Sequence, residues 1–256
     1  MNAKGAGLQV LAIDVGGSHV KILASGKRGE RSFESGPSMT PAKMVEGVKA
    51  LAAGWDFDAV AIGYPGVVVR DRPATEPHNL APGWVGFDFA KALGRPVRIV
   101  NDAAMQALGS YRGGKLLFLG LGTGLGTTLI VDGVIVPMEL AHLPYRNATF
   151  EDYVGERALE RDGKKKWRKR VFDVAERLKA AFSPDDVVIG GGNVRHLATL
   201  PDGCRAGDNA NAFAGGFRLW DDAPRGMREA PRKPARPLER RTSKAPRAAR
   251  AKAGAA

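Results

Sequence analysis

Apolar residues in this chain gather into short runs closed by Gly, Pro, Asp or Asn, and amphipathic stretches of helical spacing separate several of them. The first run, "LQVLAIDV", predicts a strand ending at Asp14, a turn at Gly16-Gly17-Ser18 and a second strand from about His19 to Ala24. A helix from about Pro41 to Ala53, the strand "DAVAIG" and the turn "YPGVVV" follow, with Pro65 and Gly66 setting the turn geometry. A short helix around Phe87 to Leu93 precedes the strand "RPVRIV", which delivers Asn101 and Asp102 to the start of the helix "AAMQALGSY". The segment "FLGLGTGLGTTLIVDG" then packs a Gly-rich turn between two apolar, β-branched runs. Beyond it the pattern predicts a helix starting near Phe150, a longer one from about Lys165 to Phe182, a buried strand in "DDVVIGGGNVRHL" that runs into a helix start, and a last helix in "DNANAFAGGFRLW".

The Gly-rich turn at 120–126 is the most informative feature. Glycine permits close approach to the main chain, so such a turn can offer several N–H groups to an anion, and phosphate is the obvious guest. Neither a Walker A ending nor a G-x-G-x-x-G fingerprint fits, because "TTLIVDG" after Gly126 reads as a strand and not as a helix. The turn therefore joins two strands, as the Gly16-Gly17-Ser18 turn does. The two strand–turn–strand units lie roughly 108 residues apart, a weak internal duplication that would set two phosphate turns across one cleft.

Composition adds limits. A chain of 256 residues, 44% hydrophobic, suffices for one large domain or two small ones. Cys204 is the only cysteine, which excludes an internal disulfide framework and a multi-cysteine zinc site. No basic-then-apolar leader and no apolar run near membrane-spanning length is apparent, so the expectation is a cytoplasmic protein without a membrane partner. The net charge of +12 is unevenly spread: from Asp221 onward 11 Lys and Arg stand against four acidic residues. This Pro-rich stretch, 221–256, is expected to be disordered, either as a solubilising extension or as a non-specific binder of nucleic acid or another polyanion.

Several residues carry candidate chemistry. Asp14, before a Gly-rich turn, could hold Mg²⁺ through water beside phosphates cradled by the Gly16-Gly17-Ser18 and Gly122-Thr123-Gly124 amides, or could merely cap the turn. Asp102 beside Asn101 could take a proton from an attacking hydroxyl, although both residues are also good helix N-caps. Glu139 and His142, three apart, would face the same way on a helix and could bind a polyhydroxylated ligand, or could be surface residues. The run "DGKKKWRKR", Asp162 to Arg170, could meet a polyanionic donor or be a solvated helix face anchored by Trp167.

In order, "AIDVGGSHVK", "IGYPGVV", "HNLAPGW", "VNDA", "LGTGLGTTLIVDG", "MELAH" and "VIGGGNVR" resemble the ROK family of sugar kinases, and most closely its polyphosphate glucokinase branch. The resemblance spans Leu8 to Trp220. It implies an α/β, actin-like and hexokinase-like ATPase fold: ribonuclease-H-like domains at 1–110 and 111–220 around a cleft, then the basic tail 221–256. Asp102 resembles the catalytic base for the sugar 6-hydroxyl, and Asn79, Asn101, Glu139, His142 and Glu151 resemble the sugar contacts. Asp14, Gly16, Gly17, Ser18, Lys21, Gly122, Thr123 and Gly124 resemble the phosphate-binding set, and Gly191, Gly192 and Asn193 the loop beside the nucleoside of ATP.

The implied reaction moves a phosphoryl group from ATP or inorganic polyphosphate to glucose, with Mg²⁺ as cofactor and a homodimer as the implied assembly. The alternatives are a non-catalytic sugar-sensing or polyanion-binding protein, or a kinase for mannose, fructose or an N-acetylhexosamine. Three departures from the family pattern stand out. No cysteine follows "ELAH", so no structural zinc is expected; Ala141 replaces a family Gly; and no helix-turn-helix precedes Leu8, unlike the repressor members.

Overall fold

A computed structural model describes residues 7–221; the expectations for the tail lie almost wholly outside the described residues. The first strands are β1 (Val10–Val15), β2 (His19–Ala24) and β3 (Arg31–Glu34). Helix α1 (Pro41–Leu51) starts where the Thr40 side chain accepts from the Lys43 amide with Pro41 in the first turn, and it buries Met44, Val45 and Val48. Next come β4 (Ala59–Tyr64), the small hairpin β5 (Val68–Val69) and β6 (Arg72–Pro73), α2 (Phe89–Leu93), β7 (Val97–Asn101) and α3 (Asp102–Ser110).

The second half opens with β8 (Lys115–Leu121), β9 (Leu125–Val131) and β10 (Val134–Met138), then the hairpin β11 (Pro144–Tyr145) and β12 (Ala148–Thr149). It ends with α4 (Glu151–Val154), α5 (Glu156–Phe182), β13 (Asp186–Gly190), β14 (Cys204–Ala206) and α6 (Asn211–Arg218). Helix α5 begins earlier than the sequence pattern indicates. Gly163, at φ 73 and ψ 161, interrupts it and joins a short leading piece to the longer basic helix.

Two five-stranded sheets repeat one plan. Their orders are β3-β2-β1-β4-β7 and β10-β9-β8-β13-β14. In each, the first strand pairs antiparallel with the next and parallel with the strand that follows a helix. The duplication read from two Gly-rich turns is thus a duplication of topology. The parallel strands β1 and β4 are buried almost throughout, as sheets covered on both faces require.

Helices α3 and α6 lie between the sheets. Ala103 and Ala107 of α3 pack with Leu116, Phe118, Ile130 and Val188 of the second sheet. Ala104 and Met105 of α3 join Val10 and Ala61 of the first sheet and Ala212 of α6. The chain therefore ends its described part on the first sheet. The two helices cross in backbone contact: a Cβ on Gly109 would stand 1.8 Å from Asn211 O, and one on Gly215 would stand 1.8 Å from Met105 O.

Candidate active site

The carboxyl ends of β1, β4 and β7 bring the first group together, as strand ends do in parallel α/β sheets. Asp14 sits opposite Lys21 across the β1–β2 ladder and beside Gly63 of β4. Burial pushes its carboxyl up to about 6; the Lys21 charge opposes this and Glu30 adds to it. Lys21 is itself tied to Glu30 at 3.1 Å.

Asn101 fills the N-cap role that the sequence offered to both residues. Its Oδ1 accepts from the amides of Ala103 at 2.9 Å and Ala104 at 3.3 Å, and its Nδ2 donates to Gly66 O at 3.1 Å. Asp102, the first residue of α3, accepts at Oδ1 from the Ala103 amide at 2.8 Å. Its carboxyl is raised to about 7, first by burial and then by the Asp14 charge, with the Ala103 and Asp102 amides pulling it down and Glu139 adding a small upward push. Gly63 lies against the start of α3: a Cβ there would stand in ordinary contact with Asp102 Cα, at 3.5 Å, and would displace the tip of Met105, whose Cε lies 2.5 Å away.

The two Gly-rich turns spend part of their donor capacity on themselves. Gly16 N–H bonds His19 O at 3.0 Å and Gly122 N–H bonds Gly124 O at 3.1 Å. The exposed Gly17 and Ser18 amides, and those of Thr123 and Gly124, are the donors left to meet an anion. Asn79 lies against the first turn, where a Cβ on Gly17 would meet Asn79 Cβ at 3.4 Å.

The second turn is gripped on three sides. Glu156 N–H bonds the carbonyls of Gly122 and Thr123, both at 3.1 Å, so α5 starts on the turn. Glu151 Oε2 accepts from the Leu125 amide at 3.4 Å and covers Gly124 so closely that a Cβ there would lie 2.0 Å from it. Asn193, buried to 4% exposure, donates from Nδ2 to Gly122 O at 3.0 Å. Its side chain thus holds the second Gly-rich turn and does not face outward, while Gly192 is exposed beside it. Gly191 takes φ +85, and a Cβ there would stand 2.4 Å from Leu121 O, so both the backbone and the space call for glycine. In place of the helix start read from the triple glycine, Gly192–His196 forms a 3-10 turn.

Glu139 and His142 flank another 3-10 turn, Leu140–His142, which replaces the helix considered for "PMELAHLPY". Their side chains remain neighbours, Glu139 Oε2 to His142 Nε2 being 4.0 Å, and both are more than half exposed. Ala141 points into the second core and has a negative φ, so the residue type fits the loop. Sequence reasoning missed Thr127, which sits beneath this loop; its sequence signal is a pair of hydroxyls, Thr127 and Thr128, in a mostly apolar strand, which does not single it out.

The basic run lies on α5. Trp167 is fully buried and its Nε1 donates to Val154 O at 2.8 Å, so the tryptophan is an anchor. Asp162 absorbs part of the charge by pairing with Arg161, Arg170 and Lys166. Arg168 instead donates to His196 O at 2.5 Å on the turn after Gly192. His196 titrates below its ordinary value, through burial first and then the charges of Lys164, Arg195 and Arg168. A cavity of about 420 Å³ beside them is lined by Arg168, Lys169, Phe172, Ala198 and Thr199, without an acidic residue. A second, of about 410 Å³, is lined by Asp152, Tyr153, Arg161, Asp162 and Arg170 together with Ala148. Among the described residues no group of three or more His, Cys, Asp or Glu could hold a metal ion, and no helix is long and apolar enough to cross a membrane.

Two like sheets carrying Gly-rich hairpins, with Asp14 and Asp102 close to the strand ends, define an actin-like ATPase fold. Residues 10–137 match the ROK family, and the chain belongs to it. It is 28% identical over 202 residues to the polyphosphate glucokinase of Mycobacterium tuberculosis, covering 70% of this chain and 76% of that protein. It is 32% identical over 143 residues to the bifunctional enzyme NanE/NanK of Brucella melitensis, covering 50% and 27%. Among solved structures it is similar to an inorganic polyphosphate/ATP-glucomannokinase from Arthrobacter sp. strain KM, with a TM-score of 0.71 at 24% identity over 81% of this chain and 96% of that one.

Proposed function

We propose that this protein is a sugar kinase of the polyphosphate glucokinase type, acting on the 6-hydroxyl of glucose. One observation carries the reading: Asp102, in a helix whose N-cap is Asn101, stands at the helix start beside a second raised carboxylate, Asp14. A carboxylate with a pKa near neutrality is suited to accept a proton from an alcohol at the moment it attacks. As the sugar oxygen bonds to phosphorus and the bond from phosphorus to the donor's bridging oxygen breaks, the hydroxyl proton passes to Asp102. The donor fragment leaves with the bond electrons.

Asn79, Asn101, Glu139, His142 and Glu151 are the proposed sugar contacts. Asn101 has its amide oxygen committed to the cap, so it offers its remaining N–H. The free amides of Gly17, Ser18, Thr123 and Gly124 take the phosphates. Mg²⁺ suits a site with one desolvated carboxylate, Asp14, that leaves its other positions to water and phosphate; bound there it would neutralise donor charge. In this reading 1–110 and 111–220 are two domains, with α6 returning to the first.

Polyphosphate is the favoured donor. The surface formed by Lys164, Arg168, Arg195 and His196 adjoins the open Gly192, and its neighbouring cavity has no acidic lining. The test is glucose 6-phosphate formation with Mg²⁺ and either ATP or nucleotide-free polyphosphate, with mannose as a parallel acceptor. Asp102→Asn should lower kcat by about 100-fold or more and leave glucose affinity nearly unchanged. Near-normal turnover in that variant would refute the assignment of the base.

A further inference from the structure

Thr127 is one of the few polar residues buried among the described residues, at 3% exposure. A buried hydroxyl needs partners, and this one has two: it donates to Met138 O at 2.9 Å and accepts from Leu140 N at 3.2 Å. These groups belong to the residues immediately before and after Glu139. Met138 is the last partner of Thr127 in the β9–β10 ladder, so the side chain takes over where backbone pairing ends and the chain leaves the sheet. Glu139, at φ −117 and ψ 54, then leads into the turn that presents His142.

The residues just before Thr127 are fixed to the rest of the candidate site. Leu125 N–H bonds Glu151, and a Cβ on Gly126 would lie 2.8 Å from that of Ala103, the residue after Asp102. Three consecutive positions of β9 thus meet Glu151, the start of α3 and the Glu139 loop. The next residue supplies an internal control. Thr128 is equally buried, yet its Oγ1 has no hydrogen-bond partner.

We propose that Thr127 is a positioning residue for the acceptor sugar: its hydroxyl clamps the peptides on both sides of Glu139 and so sets Glu139 and His142 relative to Asp102. The inference rests on the sugar-kinase reading of Asp102, Glu139 and His142. The experiment compares Thr127→Val, Thr127→Ala, Thr127→Ser and Thr128→Val with the unaltered protein, by steady-state kinetics and by calorimetric titration with glucose. Thr127→Val and Thr127→Ala should each raise the acceptor KM and the glucose Kd about tenfold, the scale of one or two lost hydrogen bonds. The donor KM should stay within about twofold, and Thr127→Ser, which keeps the hydroxyl, should recover most of the loss.

Thr128→Val should leave both constants alone. Two outcomes overturn the proposal: an unchanged acceptor KM in the hydroxyl-free variants, or acceptor and donor constants that rise together with a lowered Tm and no rescue by Ser. The Ala variant keeps the test decisive if the β-branched replacement does not fold. Failure of the unaltered protein to bind or phosphorylate any hexose would instead overturn the kinase reading, and that result is obtained before any variant is made.

Discussion

At the scale of single residues, Asp102, the proposed base, carries a cost in stability. Its folded pKa of about 7 lies above the ordinary carboxylate value of about 3.9. Between those values the native state holds a proton that the unfolded chain has released, so the stability contribution of this residue falls as pH rises from 4 to 7. Above pH 7 the charged, desolvated carboxylate burdens the fold. Asp102→Asn should therefore raise Tm at pH 8 by about 4 °C and change it little at pH 4, which differential scanning calorimetry at the two pH values reads directly. The same titration predicts the acid limb of activity. Because the protonated carboxyl cannot accept the hydroxyl proton, kcat/KM for the sugar should fall about tenfold per pH unit below about 7.

At the scale of elements, the chain between His142 and Glu151 is held by the β11–β12 hairpin, which is stapled to α5. Tyr145 donates to Asp173 Oδ2 at 2.5 Å, Arg177 pairs with Asp173 Oδ1 at 3.1 Å, and Tyr145 packs on Phe150 and Tyr153. The Tyr145 hydroxyl holds the Asp173 carboxyl below its ordinary value, so the contact stabilises above the unfolded carboxylate pKa and is lost as pH falls through the folded one. Tyr145→Phe should cost about 1 kcal/mol at pH 7, read as a fall in urea midpoint, and progressively less as the pH drops below about 4. None of this staple was legible beforehand, because strands of two residues carry no period. The Gly-rich hairpins were legible, since their glycines stand between apolar runs that only strands of this length explain. The N-cap at Asn101 was visible as a possibility, but that Asn101 and not Asp102 would fill it needed Gly66 in place to take its Nδ2. Asn193 and Thr127 were opaque in that respect: what each does depends on a carbonyl distant in sequence.

At the scale of the molecule, α3 and the α6 helix packed on it join the two sheets that carry the Gly-rich turns. The first sheet carries Asp14 and its turn, the second carries Gly122–Gly124, and α3 touches both sheets while presenting Asp102 at its start. What keeps that layer thin is the absence of side chains at the crossing. Gly215 faces Met105 O so closely that a methyl group would sit inside the carbonyl, and Gly216 presses on Ala12 and Ala61 of the first sheet. An added methyl must therefore force α6 away from α3 or from β1 and β4, and the buried cluster of Val10, Ala61, Ala104, Met105 and Ala212 opens with it. Gly215→Ala should destabilise the protein by about 3 kcal/mol, a loss of roughly 6–12 °C in Tm for a chain of this size. Gly192→Ala, at an open position with nothing within 4 Å of the added carbon, should change stability by no more than about 0.5 kcal/mol. If Gly215→Ala unfolds with an unchanged midpoint, the crossing has slack and backbone contact does not hold α6 against α3.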